Sequence, residues 1–173
     1  FNNSGGDGQS CSECAAGQFM DIVSSTDGSC KSCPDGFYAN DTKMISCRLC
    51  PAGQVGLSDG DRTSLSNGCE VCGEGKFSPR PGRTSSDKCI DCPTGYYRGS
   101  NDTPTTECQV CLAGSHQDSS GQDSCKDCTP GKFIPENMSV LANCIGCPVG
   151  YHQSASNQPS CLECNNGEKS AEV

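Results

Sequence analysis

The chain has no tryptophan, only five phenylalanines and four tyrosines, and an apolar fraction of 32% even when cysteine is counted as apolar. A chain of 173 residues with so little to bury cannot assemble one shared hydrophobic core. With 21 Gly and 10 Pro spread along it, long helices are excluded as well. Basic residues are scarce: 12 Lys plus Arg stand against 21 Asp plus Glu, the net charge is −9, and no basic run occurs. The phosphate neutralisation that drives nucleic-acid binding therefore has no source, and anionic membranes are excluded on the same ground. No apolar stretch approaches the roughly 20 residues of a membrane span, so no direct membrane insertion is expected. The sequence opens at Phe1 without Met or a signal peptide and reads as a mature form or a fragment.

What the chain has in abundance is cysteine, 18 of 173 residues. This is the composition of secreted chains in which cross-links replace the missing core, so the expected location is extracellular or at the cell surface. Every cysteine belongs to a C-x-x-C pair: Cys11/Cys14, Cys30/Cys33, Cys47/Cys50, Cys69/Cys72, Cys89/Cys92, Cys108/Cys111, Cys125/Cys128, Cys144/Cys147 and Cys161/Cys164. The third residue after each pair is Gly in all nine units, from Gly17 to Gly167, which predicts one recurrent tight turn with positive φ. Two residues further on stand Phe19, Tyr38, Val55, Phe77, Tyr97, His116, Phe133, His152 and, out of pattern, Lys169. These read as plugs of miniature cores, each ring covering one disulfide and the adjoining turn. The Ser-, Asn-, Asp- and Thr-rich remainder of each unit reads as a polar loop or short hairpin.

Successive pairs are separated by 15, 13, 18, 16, 15, 13, 15 and 13 residues, an alternation that suggests modules of four cysteines. The boundaries drawn from it are 1–10 (end of a preceding repeat), 11–46, 47–88, 89–124 and 125–160 (four modules), and 161–173 (start of a further repeat). The pattern C-x-x-C-P-x-G-x-[FY], best seen in CKSCPDGFY at Cys30 and CIDCPTGYY at Cys89, resembles the ephrin-receptor-like cysteine-rich repeats. More distantly it resembles tumour-necrosis-factor-receptor modules. Pro follows the second Cys in four of the nine units. The resemblance implies an elongated, disulfide-laddered stalk. It does not imply receptor signalling, because nothing here looks like an ephrin-binding domain or a kinase. The fold class expected is small and disulfide-rich: an elongated tandem array of nine C-x-x-C repeats with short β-hairpins and loops and no single large core.

Two connectivities fit the spacing. A ladder would join the second Cys of each pair to the first of the next, as in Cys33 to Cys47. Crossed bonds would join first to first and second to second within Cys11/14/30/33, Cys47/50/69/72, Cys89/92/108/111 and Cys125/128/144/147. The crossed form is expected, since it makes use of the two-residue alternation. All 18 cysteines are expected to be oxidised, the leftover ones pairing across a junction with a further copy.

Paired C-x-x-C motifs also surround Zn²⁺ with four thiolates. Against a zinc-binding Cys₄ repeat stand the acidic secreted composition, the sequons and the odd number of pairs. A redox C-x-x-C lacks its usual βαβ context. Both histidines occupy the aromatic position, so they read as structural, and no catalytic constellation is found. Asp59, Asp61 and Glu70 echo the ligand spacing of a Ca²⁺ loop. Ser64 stands where that loop needs Gly, however, and the stretch reads as a polar insertion. N-glycosylation sequons occur at Asn2, Asn40, Asn101 and Asn137, so covalent N-linked glycans are expected and no other cofactor. Thr103, Thr105, Thr106 and Ser78 are candidates for O-linked sugar on composition alone. The function expected is that of a non-enzymatic structural glycoprotein segment, rod- or fibre-forming. Its partner would be copies of itself or a continuing head-to-tail array. The alternative is the ligand-binding or spacer stalk of a cell-surface receptor or adhesion protein.

Overall fold

The computed structural model describes residues 13–21, 28–102, 106–138 and 140–165. Within these the chain forms eight two-stranded antiparallel hairpins in series. They are β1 (Gln18–Phe19) with β2 (Lys31–Ser32), β3 (Phe37–Tyr38) with β4 (Arg48–Leu49), and β5 (Gln54–Gly56) with β6 (Cys69–Val71). Next come β7 (Lys76–Phe77) with β8 (Ile90–Asp91), β9 (Tyr96–Tyr97) with β10 (Gln109–Val110), and β11 (Ser115–His116) with β12 (Lys126–Asp127). The series ends with β13 (Lys132–Phe133) on β14 (Ile145–Gly146) and β15 (Tyr151–His152) on β16 (Leu162–Glu163). The second strand of every hairpin contains the x-x of the next C-x-x-C, and in β6 it takes in Cys69 as well. Each unit is thus sewn to its successor by backbone as well as by sulfur.

The glycine turn forms as the sequence predicts. In the second unit Phe37 N–H donates to Pro34 C=O at 3.1 Å, with Gly36 at φ +83° in the third position of the turn. The same bond closes the unit that begins at Thr129, where Lys132 N–H reaches Thr129 C=O. Proline therefore occupies the first position of the turn, where its fixed φ is not required, which is why most units dispense with it.

One α-helical turn, α1 (Leu65–Gly68), occupies the longest loop, with the Ser64 hydroxyl accepting from Asn67 N–H as its N-cap. A 3₁₀ turn spans Glu136–Met138. Helix is otherwise absent among the described residues.

The interior is a narrow seam rather than a layer. Its residues are the second cysteines, fully or nearly fully buried from Cys14 to Cys128, together with the residue one past the expected aromatic plug. That residue is Ala39, Ser78, Arg98, Gln117, Ile134 or Gln153, each at most 8% exposed. The rings themselves are only half-buried, apart from the smaller Val55. The expectation that they plug the miniature cores is thus corrected by one residue. The cause is the strand: neighbouring side chains point to opposite faces, and the face of the following residue is the one the next unit covers. The recurrent glycine N–H of one unit donates to that residue's carbonyl in the next. Gly75 reaches Arg98 C=O, Gly95 reaches Gln117, Gly114 reaches Ile134 and Gly131 reaches Gln153, at 2.7–2.9 Å.

Candidate functional site

The arrangement that gives this chain its character is the run of cross-links. Eight disulfides join Cys14–Cys30, Cys33–Cys47, Cys50–Cys69, Cys72–Cys89, Cys92–Cys108, Cys111–Cys125, Cys128–Cys144 and Cys147–Cys161. Cα–Cα distances are 5.4–5.8 Å throughout, within the range an unstrained bridge needs. This is the ladder, and the expected crossed bonding is overturned. Its physical reason is again strand alternation. The x-x residues are extended, so cysteines three positions apart project to opposite sides. The first of each pair turns back to the preceding unit and the second turns forward. Crossed bonds would require both to face the same neighbour. Each rung closes 14–19 residues, worth about 3 kcal/mol in the chain-entropy account.

The alternation in spacing, which favoured the crossed scheme, comes instead from the loops. In alternate units the shorter loop bends through a residue at positive φ: Lys43, Gly82, Gly121 or Asn157. The N–H of that residue donates to the carbonyl of Cys14, Cys50, Cys92 or Cys128, respectively, at 2.7–2.9 Å. Each of these four bonds lies within one of the stretches 11–46, 47–88, 89–124 and 125–160. The rungs Cys33–Cys47, Cys72–Cys89, Cys111–Cys125 and Cys147–Cys161 and the bonds from Gly75 and Gly114 cross those boundaries.

Sixteen of the cysteines that a Cys₄ zinc site would draw on are thus spent in disulfides. Cys164 has no disulfide partner within the chain, as the ladder leaves it, and its expected bond across a junction lies outside a single copy; Cys11 lies outside the described residues. Asp59, Asp61 and Glu70 do not gather their ligand atoms into one cluster. Asp61 turns inward to its own loop, accepting from Thr63 N–H at 3.0 Å and Thr63 Oγ1–H at 2.7 Å. Those two bonds, with a further one from Asn67, hold its carboxyl below the usual carboxylate value. Asp87 is lowered likewise by the backbone N–H and hydroxyl of Thr84. Asp118 is lowered by the ammonium of Lys126 and the hydroxyl of Ser119.

The sequon asparagines are exposed, Asn40 and Asn101 on loops and Asn137 in the 3₁₀ turn; Asn2, Thr103 and Thr105 lie outside the described residues, as do Gly167 and Lys169. Ser78, by contrast, is fully buried, with its hydroxyl donating to Arg80 C=O, and is no site for sugar. His116 Nδ1 lies 3.1 Å from Cys144 Sγ, beside the Cys128–Cys144 rung. His152 Nδ1 lies 3.9 Å from Cys164 Sγ.

A buried guanidinium escaped the sequence reading. Arg98 is 2% exposed and points Nη1 at the carbonyls of Cys72 (3.0 Å), Gly73 and Lys76 (2.9 Å). No described carboxylate pairs with it. It pins one unit to the preceding unit by replacing the water those carbonyls would otherwise bind. Only its place one residue past Tyr97 could have signalled burial.

Comparison with known proteins agrees with this architecture. Residues 21–63 match the family described as tyrosine-protein kinase ephrin type A/B receptor-like. The matched stretch is cysteine-rich repeat and covers the rung Cys33–Cys47. The chain is 25% identical over 150 residues to a mouse signal peptide, CUB and EGF-like domain-containing protein 2, with 65% of this chain aligned. It is 28% identical over 120 residues to the laminin-like protein lam-2 of Caenorhabditis elegans, with 63% aligned. It spans 14% and 6% of the lengths of those two relatives. The chain is thus a tandem cysteine-rich array, of which residues 21–63 match an ephrin-receptor-like repeat. No helix of the described residues is long and apolar enough to cross a membrane.

Proposed function

We propose that the chain is a non-enzymatic structural segment of an extracellular glycoprotein, acting as a stiff spacer or fibre element. The observation that carries this reading is the one-dimensional bonding. Among the described residues every disulfide joins adjacent units, and the hydrogen bonds between units reach at most the next but one, as from Ser85 N–H to Asp35 Oδ2 at 2.8 Å. Such an array transmits bending stiffness along its axis and resists proteolysis without a core. The exposed Asn40, Asn101 and Asn137 support a coat of N-linked glycans on its loops. Head-to-tail continuation, through a longer chain or stacked copies, follows from the repeat register, because a heterologous contact that does not close forms a filament. Electron microscopy of native material tests this: filaments or rods with an axial repeat are expected, and compact globules would end it. Treatment with peptide N-glycosidase should sharpen and lower the native band on a gel, and an unchanged band would remove the glycan coat.

A second reading is favoured by the match of residues 21–63 to a receptor-derived repeat: the same stiffness would serve as the stalk of a receptor or adhesion protein. Dispersed short rods tethered to a membrane fraction would select it.

A further inference from the structure

Among the described residues, one rung alone has an imidazole beside it. The aromatic position beside the Cys128–Cys144 rung holds His116, and its Nδ1 sits 3.1 Å from Cys144 Sγ. The ligand atoms of His116, Cys128 and Cys144 all lie within 4.8 Å of one another. In other units this position is Phe19, Tyr38, Val55, Phe77, Tyr97 or Phe133, none of which bonds a metal here or stabilises a leaving thiolate near neutral pH. His152 alone repeats the imidazole, and it faces the unbonded Cys164.

We propose that Cys128, Cys144 and His116 form a redox-gated metal site, a structural rung when oxidised and a three-ligand site for a soft divalent cation such as Zn²⁺ when a thiol reduces it. The chemistry balances with a small-molecule thiol as reductant. Cys128 is fully buried, whereas Cys144 is half-exposed, so the incoming thiolate attacks Cys144 Sγ. The Cys128–Cys144 bond breaks, a mixed disulfide forms on Cys144, and Cys128 departs as a thiolate. The His116 imidazole, in hydrogen-bond reach of Cys144 Sγ, stabilises the charge on that sulfur when it leaves in the step that follows. A second thiolate then displaces Cys144, so two reductant thiols are oxidised to one disulfide and the rung gains two electrons.

The opened rung matches what zinc needs. Zn–S bonds of about 2.3 Å and Zn–N bonds of about 2.0 Å in a tetrahedron set ligand separations near 3.5–3.8 Å. The imidazole and Cys144 are already close to that spacing, and the two sulfurs have only to relax apart once their bond is gone. Two thiolates and a neutral imidazole also cancel the charge of the ion. The fourth position is left for water.

The test uses the full chain, oxidised, with pre-existing free thiols first blocked by one maleimide. Limited dithiothreitol treatment, a second isotopically distinct maleimide and peptide mapping then show which rung opens. Cys128 and Cys144 should carry the second label first, and His116→Phe, which installs the ring found in sister units, should slow that opening about tenfold. Anaerobic removal of the reductant and addition of Co²⁺ should give one ion per chain with a thiolate-to-metal charge-transfer band. That band should be absent from Cys128→Ser/Cys144→Ser and weakened in His116→Phe. Uniform opening of all rungs, unchanged kinetics in His116→Phe, or no thiolate band after selective opening would each overturn the proposal.

Discussion

Gly75 and Gly150 occupy the same turn position, at φ +67° and +86°, yet their surroundings differ. A Cβ on Gly75 would lie 2.1 Å from the carbonyl oxygen of Gly121, two units along the chain. A Cβ on Gly150 would meet no described atom within 4 Å. Substituting alanine at either site forces an L side chain into left-handed backbone, costing about 1–2 kcal/mol. At Gly75 the backbone of the Gly121 turn must also withdraw, which breaks its 2.8 Å bond from Gly121 N–H to Cys92 C=O. Losing that bond and stranding its buried acceptor adds about 1–3 kcal/mol. Amide hydrogen exchange on the oxidised protein separates the two costs. In Gly150→Ala, protection of the Cys164 N–H, which donates to Gly150 C=O at 2.8 Å, should fall about tenfold, at ~1.4 kcal/mol per decade. In Gly75→Ala the Gly121 and Cys92 amides should lose roughly a hundredfold or more by the same conversion. Equal losses at the two sites would refute the claim that next-but-one units press on this turn.

Arg98→Ala should destabilise its region by about 1–3 kcal/mol, since the carbonyl of buried Cys72 and those of the more exposed Gly73 and Lys76 lose their donor; exchange at the Arg98 amide reads it. Arg48→Ala, which removes only an exposed pair with Asp41 at 3.5 Å, should stay within about 1 kcal/mol. Ile134→Ala, at a fully buried seam position, should cost ~2–4 kcal/mol, seen as faster exchange of the Gly114 amide that donates to its carbonyl. Asp61 and Asp87 titrate below their ordinary carboxylate values because Thr63 and Thr84 donate to them. Their contribution is therefore fully present above the unfolded carboxylate range and lost as pH falls through the lowered folded values. Both are exposed, so the effect is local: the Thr63 and Thr84 amides should exchange faster in strong acid while the seam amides hold, and a simultaneous loss of both would contradict the assignment.

Much of this fold is legible in spacing alone, because cysteine and glycine are chosen by covalent and backbone demands that recur unchanged in every unit. What escaped depends on the neighbouring unit. Ala39, Ser78, Arg98 and Ile134 share one buried position but no chemistry, since the constraint there is on the carbonyl that meets the glycine N–H rather than on the side chain. Their burial leaves no compositional trace, and the half-buried rings beside them drew the assignment instead. The bonding pattern was within reach. Lys31–Ser32 between Cys30 and Cys33 is a strand, and reading x-x as extended would have turned its two cysteines in opposite directions. The spacing alternation pointed elsewhere because Lys43, Gly82, Gly121 and Asn157 adopt a common conformation without a common residue type. Of the candidate sites, the exposed sequons were legible as surface loops. The proximity of His116 to Cys144, 28 residues on, depends on how one unit stacks on the next.

The ladder itself is tested most directly by non-reduced peptide mapping of the native protein, digested at low pH to prevent exchange and sequenced by mass spectrometry. Peptides joining Cys33 only to Cys47, Cys72 only to Cys89 and Cys111 only to Cys125 are expected. A peptide joining Cys14 to Cys33, or Cys47 to Cys69, would place both cysteines of a pair on the same neighbour and contradict it.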